Sequence, residues 1–113
     1  MIYIILEENN TEKRYKIGIT KRRSSDRLKQ IQTGNSNYLE VVFTYETKWS
    51  SKIERIIHSN YKNNRINGEW FSLTEDDLIN IKRLMEKLDS DLTLLESNNT
   101  YIQEKLNKKE WQV

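Results

Sequence analysis

Three groups of residues in this chain are of types that do chemistry. The first is a basic run. Between Lys13 and Lys29 stand eight basic residues (Lys13, Arg14, Lys16, Lys21, Arg22, Arg23, Arg27, Lys29) against one acid, Asp26, a balance of +7. From Thr74 to the end nine acids meet six bases, a balance of −3, so the net charge of +2 hides a divided chain. A run of this kind is either a solvated basic face or an anion-binding one, and nucleic acid is the commonest partner of the latter. The second group is Glu54, His58 and Tyr61, spaced i, i+4, i+7 and so aligned on one side of a helix. His58 is the only histidine. Glu54, one turn earlier, is placed to hydrogen-bond its ring and fix its tautomer; a lone helical histidine is more often a satisfied structural residue. The third is Tyr3 with Lys16, a phenol and a cation on neighbouring strands.

The elements that must position these residues follow from pattern. Residues 1–8 and 13–20 read as strands rich in β-branched residues and Tyr. Asn9-Asn10 between them suits a two-residue hairpin turn, because Asn tolerates positive φ. With that turn, residues whose numbers sum to 19 face each other. Tyr3 then stands opposite Lys16, while Ile2, Ile4 and Leu6 pair with Ile17, Tyr15 and Lys13 on the core face. Ser24, Ser25 and Asp26 start a short helix that Gly34 ends, with Leu28 and Ile31 inward and Arg27 at the edge of the apolar stripe. Residues 39–47 read as a third strand. Ser50 or Ser51 caps a helix to about Lys62, with Ile53, Ile56 and Ile57 as its stripe and Trp49 at its foot. Residues 63–68 read as a polar loop and 69–72 as a short extended segment in which Trp70 and Phe71 are core anchors.

Thr74 caps a further helix with acids in its first turn. Leu78, Ile81, Met85, Leu88, Leu92, Leu95, Asn99, Ile102 and Leu106 then keep a strict 3-4 spacing with no Gly or Pro. Such a heptad run makes either a coiled coil, with Asn99 setting register, or amphipathic helix folded back on the domain, with Asn98-Asn99 as a break. A homodimer through residues 78–106 is the expected partner arrangement under the first reading.

Composition closes off several function classes. The 113 residues fit one domain with an appendage, 1–75 and 76–113. No apolar stretch approaches the ~18–20 residues that span a bilayer, so no membrane role is expected. Ile2 to Leu6 is too short for a signal peptide. Without cysteine there are no disulfides or thiolate zinc sites, and a cytoplasmic or nuclear setting, or a virus-encoded protein, is expected. Three scattered glycines make no phosphate loop. The richness in Asn, Lys and Ile is also what AT-rich codons produce, which reduces the weight of the lysines taken alone.

Phosphodiester cleavage requires a group to orient or deprotonate water, cations for the phosphoryl charge and, commonly, a metal ion. The opening Met1-Ile2-Tyr3 and the later Lys16-Ile17-Gly18 resemble the GIY-YIG nuclease signature, with Met1 in place of the first glycine and Lys16 in place of the second tyrosine. Arg27, then Glu54-Arg55-Ile56-Ile57-His58, then Gly68-Glu69-Trp70-Phe71 continue the resemblance in order over about residues 1–75. The lysine form resembles the phage and viral subgroup often labelled a DNA-binding domain. The resemblance implies that Tyr3 is general base or water-orienting group, that Lys16 favours its phenolate, that Arg27 clamps the phosphate, and that Glu69 is the metal ligand. One carboxylate with phosphate and waters suits Mg²⁺, or Mn²⁺. A His or Tyr assists the nucleophile in that family; His58, Tyr61 and Tyr15 are all candidates here, His58 first.

The expected fold is therefore α/β of the α+β kind: a small, mainly antiparallel three-stranded sheet flanked by helices, followed by a long C-terminal helix. The expected function is metal-dependent endonucleolytic cleavage of DNA, with Arg14, Lys21, Arg22, Arg23 and Lys29 contacting the DNA. Two alternatives stand beside it: a non-cleaving DNA-binding module of the same fold, and a coiled-coil interaction protein.

Overall fold

The computed structural model describes residues 1–21, 26, 29 and 37–111, with side chains described as far as residue 99. The helix expected over residues 24–34 falls mostly outside them, although Asp26 and Lys29 are helical. The fold is α+β with a long C-terminal helix, as the pattern predicts. Its described elements are β1 (Ile2–Glu8), β2 (Lys13–Ile19), β3 (Tyr38–Tyr45), α1 (Ser50–Asn60), a 3-10 turn (Lys62–Asn64), β4 (Arg65–Asn67), β5 (Trp70–Phe71) and α2 (Glu75–Trp111).

Among the described residues the sheet has five strands in the order β3-β1-β2-β5-β4, not three. β1, β2 and β3 are the expected long strands, antiparallel throughout. The two additions are short. β4 takes up Arg65–Asn67 of the expected polar loop; its residues are all exposed, and it is a strand only because β5 gives it hydrogen bonds. Gly68 and Glu69 form the two-residue turn between Asn67 and Trp70, and Gly68 takes a φ of 47° there. Glycine adopts such a φ at no steric cost, which is why it opens so tight a turn.

The hairpin register corrects the sequence reading. Paired residues sum to 21, so Tyr3 faces Gly18 and Lys16 faces Ile5. The reason is the turn. Asn9 Oδ1 accepts from the Thr11 N–H (2.9 Å), the Glu12 N–H (2.8 Å) and the Thr11 hydroxyl (3.1 Å), and the Asn9 N–H donates to the Glu12 carbonyl (3.0 Å). Asn acts as an Asx-turn residue rather than a positive-φ one, so four residues close the loop. The slip is two residues, and a period of two keeps every side chain on its expected face.

Those faces make two cores. Ile2, Ile4, Tyr15, Ile17 and Phe71 meet Ile53 and Ile57 of α1 and Ile81 and Met85 of α2. On the opposite face Tyr3, Ile5 and Leu39 form a second buried cluster, with Val41 and Trp70 at its margin. Helix α1 begins at Ser50 without a side-chain cap; Thr47 Oγ1 instead accepts from the Trp49 N–H, and the Ser50 hydroxyl donates to the Thr47 carbonyl. Thr74 caps α2 as expected, accepting from the Asp77 N–H while Asp77 Oδ2 accepts from the Thr74 N–H.

Helix α2 is one uninterrupted run, so Asn98-Asn99 is not a break. Its stripe is used inside the chain first. Ile81 and Met85 are fully buried, and Leu78, Leu88 and Leu92 pack against the same core. Tyr45 and Thr47 donate to Asp89 at 2.9 and 2.8 Å, Trp49 Nε1 donates to Thr93 at 3.1 Å, and Lys48 pairs with Glu96 at 2.9 Å. The packed unit thus runs well beyond residue 75. Leu95, 56% exposed, is where the stripe leaves the body. No helix among the described residues is long and apolar enough to cross a membrane.

Candidate active site

Three of the predicted residues meet at one end of the β1–β2–β5 region. Tyr3 is 1% exposed and stands over Gly18. A Cβ added at Gly18 would overlap the Tyr3 hydroxyl, lie 2.6 Å from its Cζ and come 3.1 Å from Glu69 Oε2. The phenol and the carboxylate therefore approach the same point, and the absence of a side chain at position 18 is what leaves room for them. Glu69 arrives there because it is the second residue of the tight turn that Gly68 opens, and because its carbonyl accepts from the Ile17 N–H at 3.0 Å. Lys16 Nζ is 3.1 Å from Glu69 Oε2; the lysine side chain is 15% exposed and the glutamate 40%. The Tyr3 hydroxyl and the Glu69 carboxylate thus approach one point, and the Lys16 ammonium reaches that carboxylate diagonally and not from directly opposite Tyr3.

Basic and aromatic groups extend this face along β2. Arg14 Nε bonds Glu7 Oε1 at 2.5 Å, and its guanidinium lies 4.2 Å from the centre of the Trp70 ring. Lys16 Nζ lies 5.6 Å from the same ring. Lys16 and Trp70 are cross-strand partners, so their side chains share a face, and cation–π attraction steadies both cations. Phe71 is a fully buried core anchor, as expected, but Trp70 is only half-buried and holds the two cations in place.

His58 comes from α1 on the opposite side of β2. Its Nε2 lies 2.9 Å from the Ile17 carbonyl and its ring meets Phe71 edge-on, centroids 4.8 Å apart. The hydrogen bond expected from Glu54 is not made: Glu54 Oε1 is 3.9 Å from Nε2, close enough for charge attraction only. Glu54 Oε2 is buried without a hydrogen-bond partner. Burial pushes the Glu54 carboxyl above its ordinary value, and the negative charge of Glu69 adds to this, while His58 and Lys16 pull it back. Tyr15 and Tyr61, the other two candidates for an assisting group, lie in the core between the sheet and the helices. Burial and the charge of Asp77 raise the Tyr61 hydroxyl above its usual range.

The match to the T5orf172 domain covers residues 1–86. The chain belongs to the T5orf172 domain family. This domain is associated with nuclease-related phage proteins of the GIY-YIG and HNH-like kind, which points to a nuclease or DNA-binding role. No curated protein and no solved structure matches the chain. The T5orf172 region ends one residue after Met85, so it takes in the part of α2 that completes the core.

Within this T5orf172 domain, Lys21 is exposed and Lys29 is exposed and helical, while Arg22, Arg23 and Arg27 lie outside the described residues. Arg14, expected to contact DNA, is committed to Glu7 and Trp70. Sequence reasoning missed Gly18 as the residue that admits the Tyr3 hydroxyl. The signal was available: a glycine in the middle of a strand commonly marks close approach of another group. It also missed Glu7, the buried partner of Arg14, because an acid at a strand end reads as surface. Among the described residues no cluster of three His, Asp or Glu is arranged to hold a metal.

Proposed function

We propose that this chain is a metal-dependent endonuclease that hydrolyses DNA phosphodiester bonds. The observation that carries the reading is the approach of the Tyr3 hydroxyl and the Glu69 carboxylate to one point above Gly18, with the Lys16 ammonium on the same carboxylate. These are the groups that an attacking water and a phosphoryl oxygen need: an oxygen to orient the water, a cation to offset charge on phosphorus, and a fixed carboxylate. In the reaction the water oxygen bonds to phosphorus and the bond to the departing sugar oxygen breaks. Tyr3 orients the water, whose proton passes to solvent; the departing sugar oxygen takes a proton from solvent, and Lys16 stabilises the charge on the phosphoryl oxygens.

The donor set fits a hard cation such as Mg²⁺ or Mn²⁺ held by Glu69 together with substrate oxygens and water, because a half-exposed single carboxylate leaves most positions to water. Such an ion supplies Lewis acidity when bound. Lys21 and Lys29, both exposed, with the basic residues between them in the sequence, supply the sequence-independent attraction for the DNA backbone.

The ion pair between Lys16 and Glu69 favours a second reading, a DNA-binding module of the same fold that does not cut, since the ammonium already neutralises the would-be ligand. Plasmid nicking with Mg²⁺ or Mn²⁺, parent against Glu69→Ala, separates the two. Nicking by the parent and none by the variant supports the enzyme. Binding that is steep in salt, survives Glu69→Ala and never leads to a nick supports the module.

A further inference from the structure

Where a sheet edge stops short, the backbone groups beyond it need other partners. β2 has such a place. β5 pairs with it at Tyr15 and Lys16 only. One residue on, the Ile17 N–H donates to the Glu69 carbonyl at 3.0 Å. The N–H and C=O of one strand residue point to the same side, so the Ile17 carbonyl faces the same open edge. There it meets His58 Nε2 at 2.9 Å. A carbonyl only accepts, so Nε2 must carry the proton and donate it. Phe71, edge-on at 4.8 Å, and Glu54, 3.9 Å from the same nitrogen, hold the ring from the core side, and the imidazole is 20% exposed.

The two peptides tied in this way flank Ile17. The Lys16–Ile17 peptide is held by Glu69 and the Ile17–Gly18 peptide by His58. Lys16 carries the ammonium of the site, and Gly18 is the floor over which Tyr3 and Glu69 approach. A displacement of the Ile17 carbonyl therefore moves both.

We propose that His58 is a positioning residue: its Nε2–H clamps the Ile17 carbonyl and so holds Lys16 and Gly18 in register with Glu69. It comes from α1, and its donor nitrogen is committed to the Ile17 carbonyl. It therefore passes no proton to or from a substrate. The kinetic consequence rests on the hydrolytic reading above; the clamp itself does not.

Two variants test this. His58→Gln keeps an N–H donor at about the same reach but has no proton to exchange near neutral pH. His58→Leu keeps the bulk and loses the donor. Both are first checked for a cooperative melt. Amide exchange of the parent and variants, with ¹⁵N shifts of the imidazole in the parent, reads the clamp without any cleavage assay. The expected result is a protonated Nε2 in the parent, faster exchange at Ile17 and Gly18 in His58→Leu, and restored protection in His58→Gln. In plasmid nicking, His58→Leu should lose kcat by up to about 100-fold at unchanged KM, the scale of a misplacement of about 1 Å. His58→Gln should recover most of that loss with the parental pH–rate shape. An unprotonated Nε2, or exchange at Ile17 that ignores the Leu variant, overturns the clamp. Equal loss of kcat in both variants, with disappearance of a limb in the pH profile, makes His58 a proton-transfer group and overturns it too. If the parent does not nick DNA, the nuclease reading fails and the exchange data alone decide the clamp.

Discussion

Replacing Gly18 by alanine sets two known effects against each other. Gly18 does not have the positive φ that Gly68 has. On backbone grounds alone a Gly→Ala change at such a position stabilises by about 0.4–1 kcal/mol, through loss of freedom in the unfolded chain. Packing says the opposite. The new Cβ would lie 2.6 Å from Tyr3 Cζ, overlap the hydroxyl, and come 3.1 Å from Glu69 Oε2, whereas carbon atoms rest at about 3.5–4.0 Å. Tyr3 is 1% exposed and packed in the second core cluster, so the ring or strand β2 must shift. Overpacking of this kind costs about 1–3 kcal/mol. We therefore expect Gly18→Ala to be less stable than the parent in urea unfolding. Its nicking rate should fall by about 100-fold, as a displacement of about 1 Å at a reacting group does. Tyr3→Phe removes the overlapping oxygen, so Gly18→Ala should cost less in that background, by about 0.5–1 kcal/mol in a double-mutant cycle. A stabilised Gly18→Ala protein, or strict additivity with Tyr3→Phe, would refute the close approach on which the site depends.

Three further outcomes follow from the packing and charge described above. Burial raises the Glu54 carboxyl, so the folded state holds that proton more tightly than the unfolded chain; the stability it lends is full below pH ~4.5 and is lost as pH rises through the folded pKa. Glu54→Gln should accordingly melt higher than the parent at pH 7 and lose that advantage near pH 4. The Tyr45 hydroxyl is pushed up to about 12 by burial and by its hydrogen bond to Asp89, so stability that is intact below pH ~10 should fall as pH rises through about 12, and an alkaline melting series on Tyr45→Phe should lack that fall. In α2, Ile81→Ala should cost about 2–5 kcal/mol in urea unfolding, as a buried truncation does, while Leu95→Ala stays within about 0.5 kcal/mol; equal effects would mean that the helix is not part of the core.

The heptad stripe shows how one pattern serves two outcomes. Leu78, Ile81, Met85, Leu88 and Leu92 satisfy a coiled-coil spacing, but the same spacing makes any core-facing helix stripe. Whether a sheet or a second copy covers it is not a local property. Here the domain's own Ile53, Ile57 and Phe71 share the core with Ile81 and Met85. Among the described side chains of the stripe, those from Leu78 to Leu92 pack on the domain's own core, and Leu95 and Asn99 are exposed.

The sequence by itself determined the elements that depend on near neighbours. The long strands, α1, the Thr74 cap and the uninterrupted run of α2 were legible because apolar period, capping side chains and the absence of breakers act within a few residues. It also placed Tyr3, Lys16 and Glu69 as the groups to watch. Tertiary structure decided what depends on length and pairing. The side chain of Asn9 chose a four-residue loop over a two-residue turn, moved the register by two and put Gly18 under Tyr3. β4 exists only because β5 pairs with it, and that hairpin carries Glu69 to a phenol 66 positions earlier in the chain. Local propensity sets the shape of each segment, but the distance between side chains on separate segments is set by hydrogen-bond register across the sheet, which no short stretch of sequence contains.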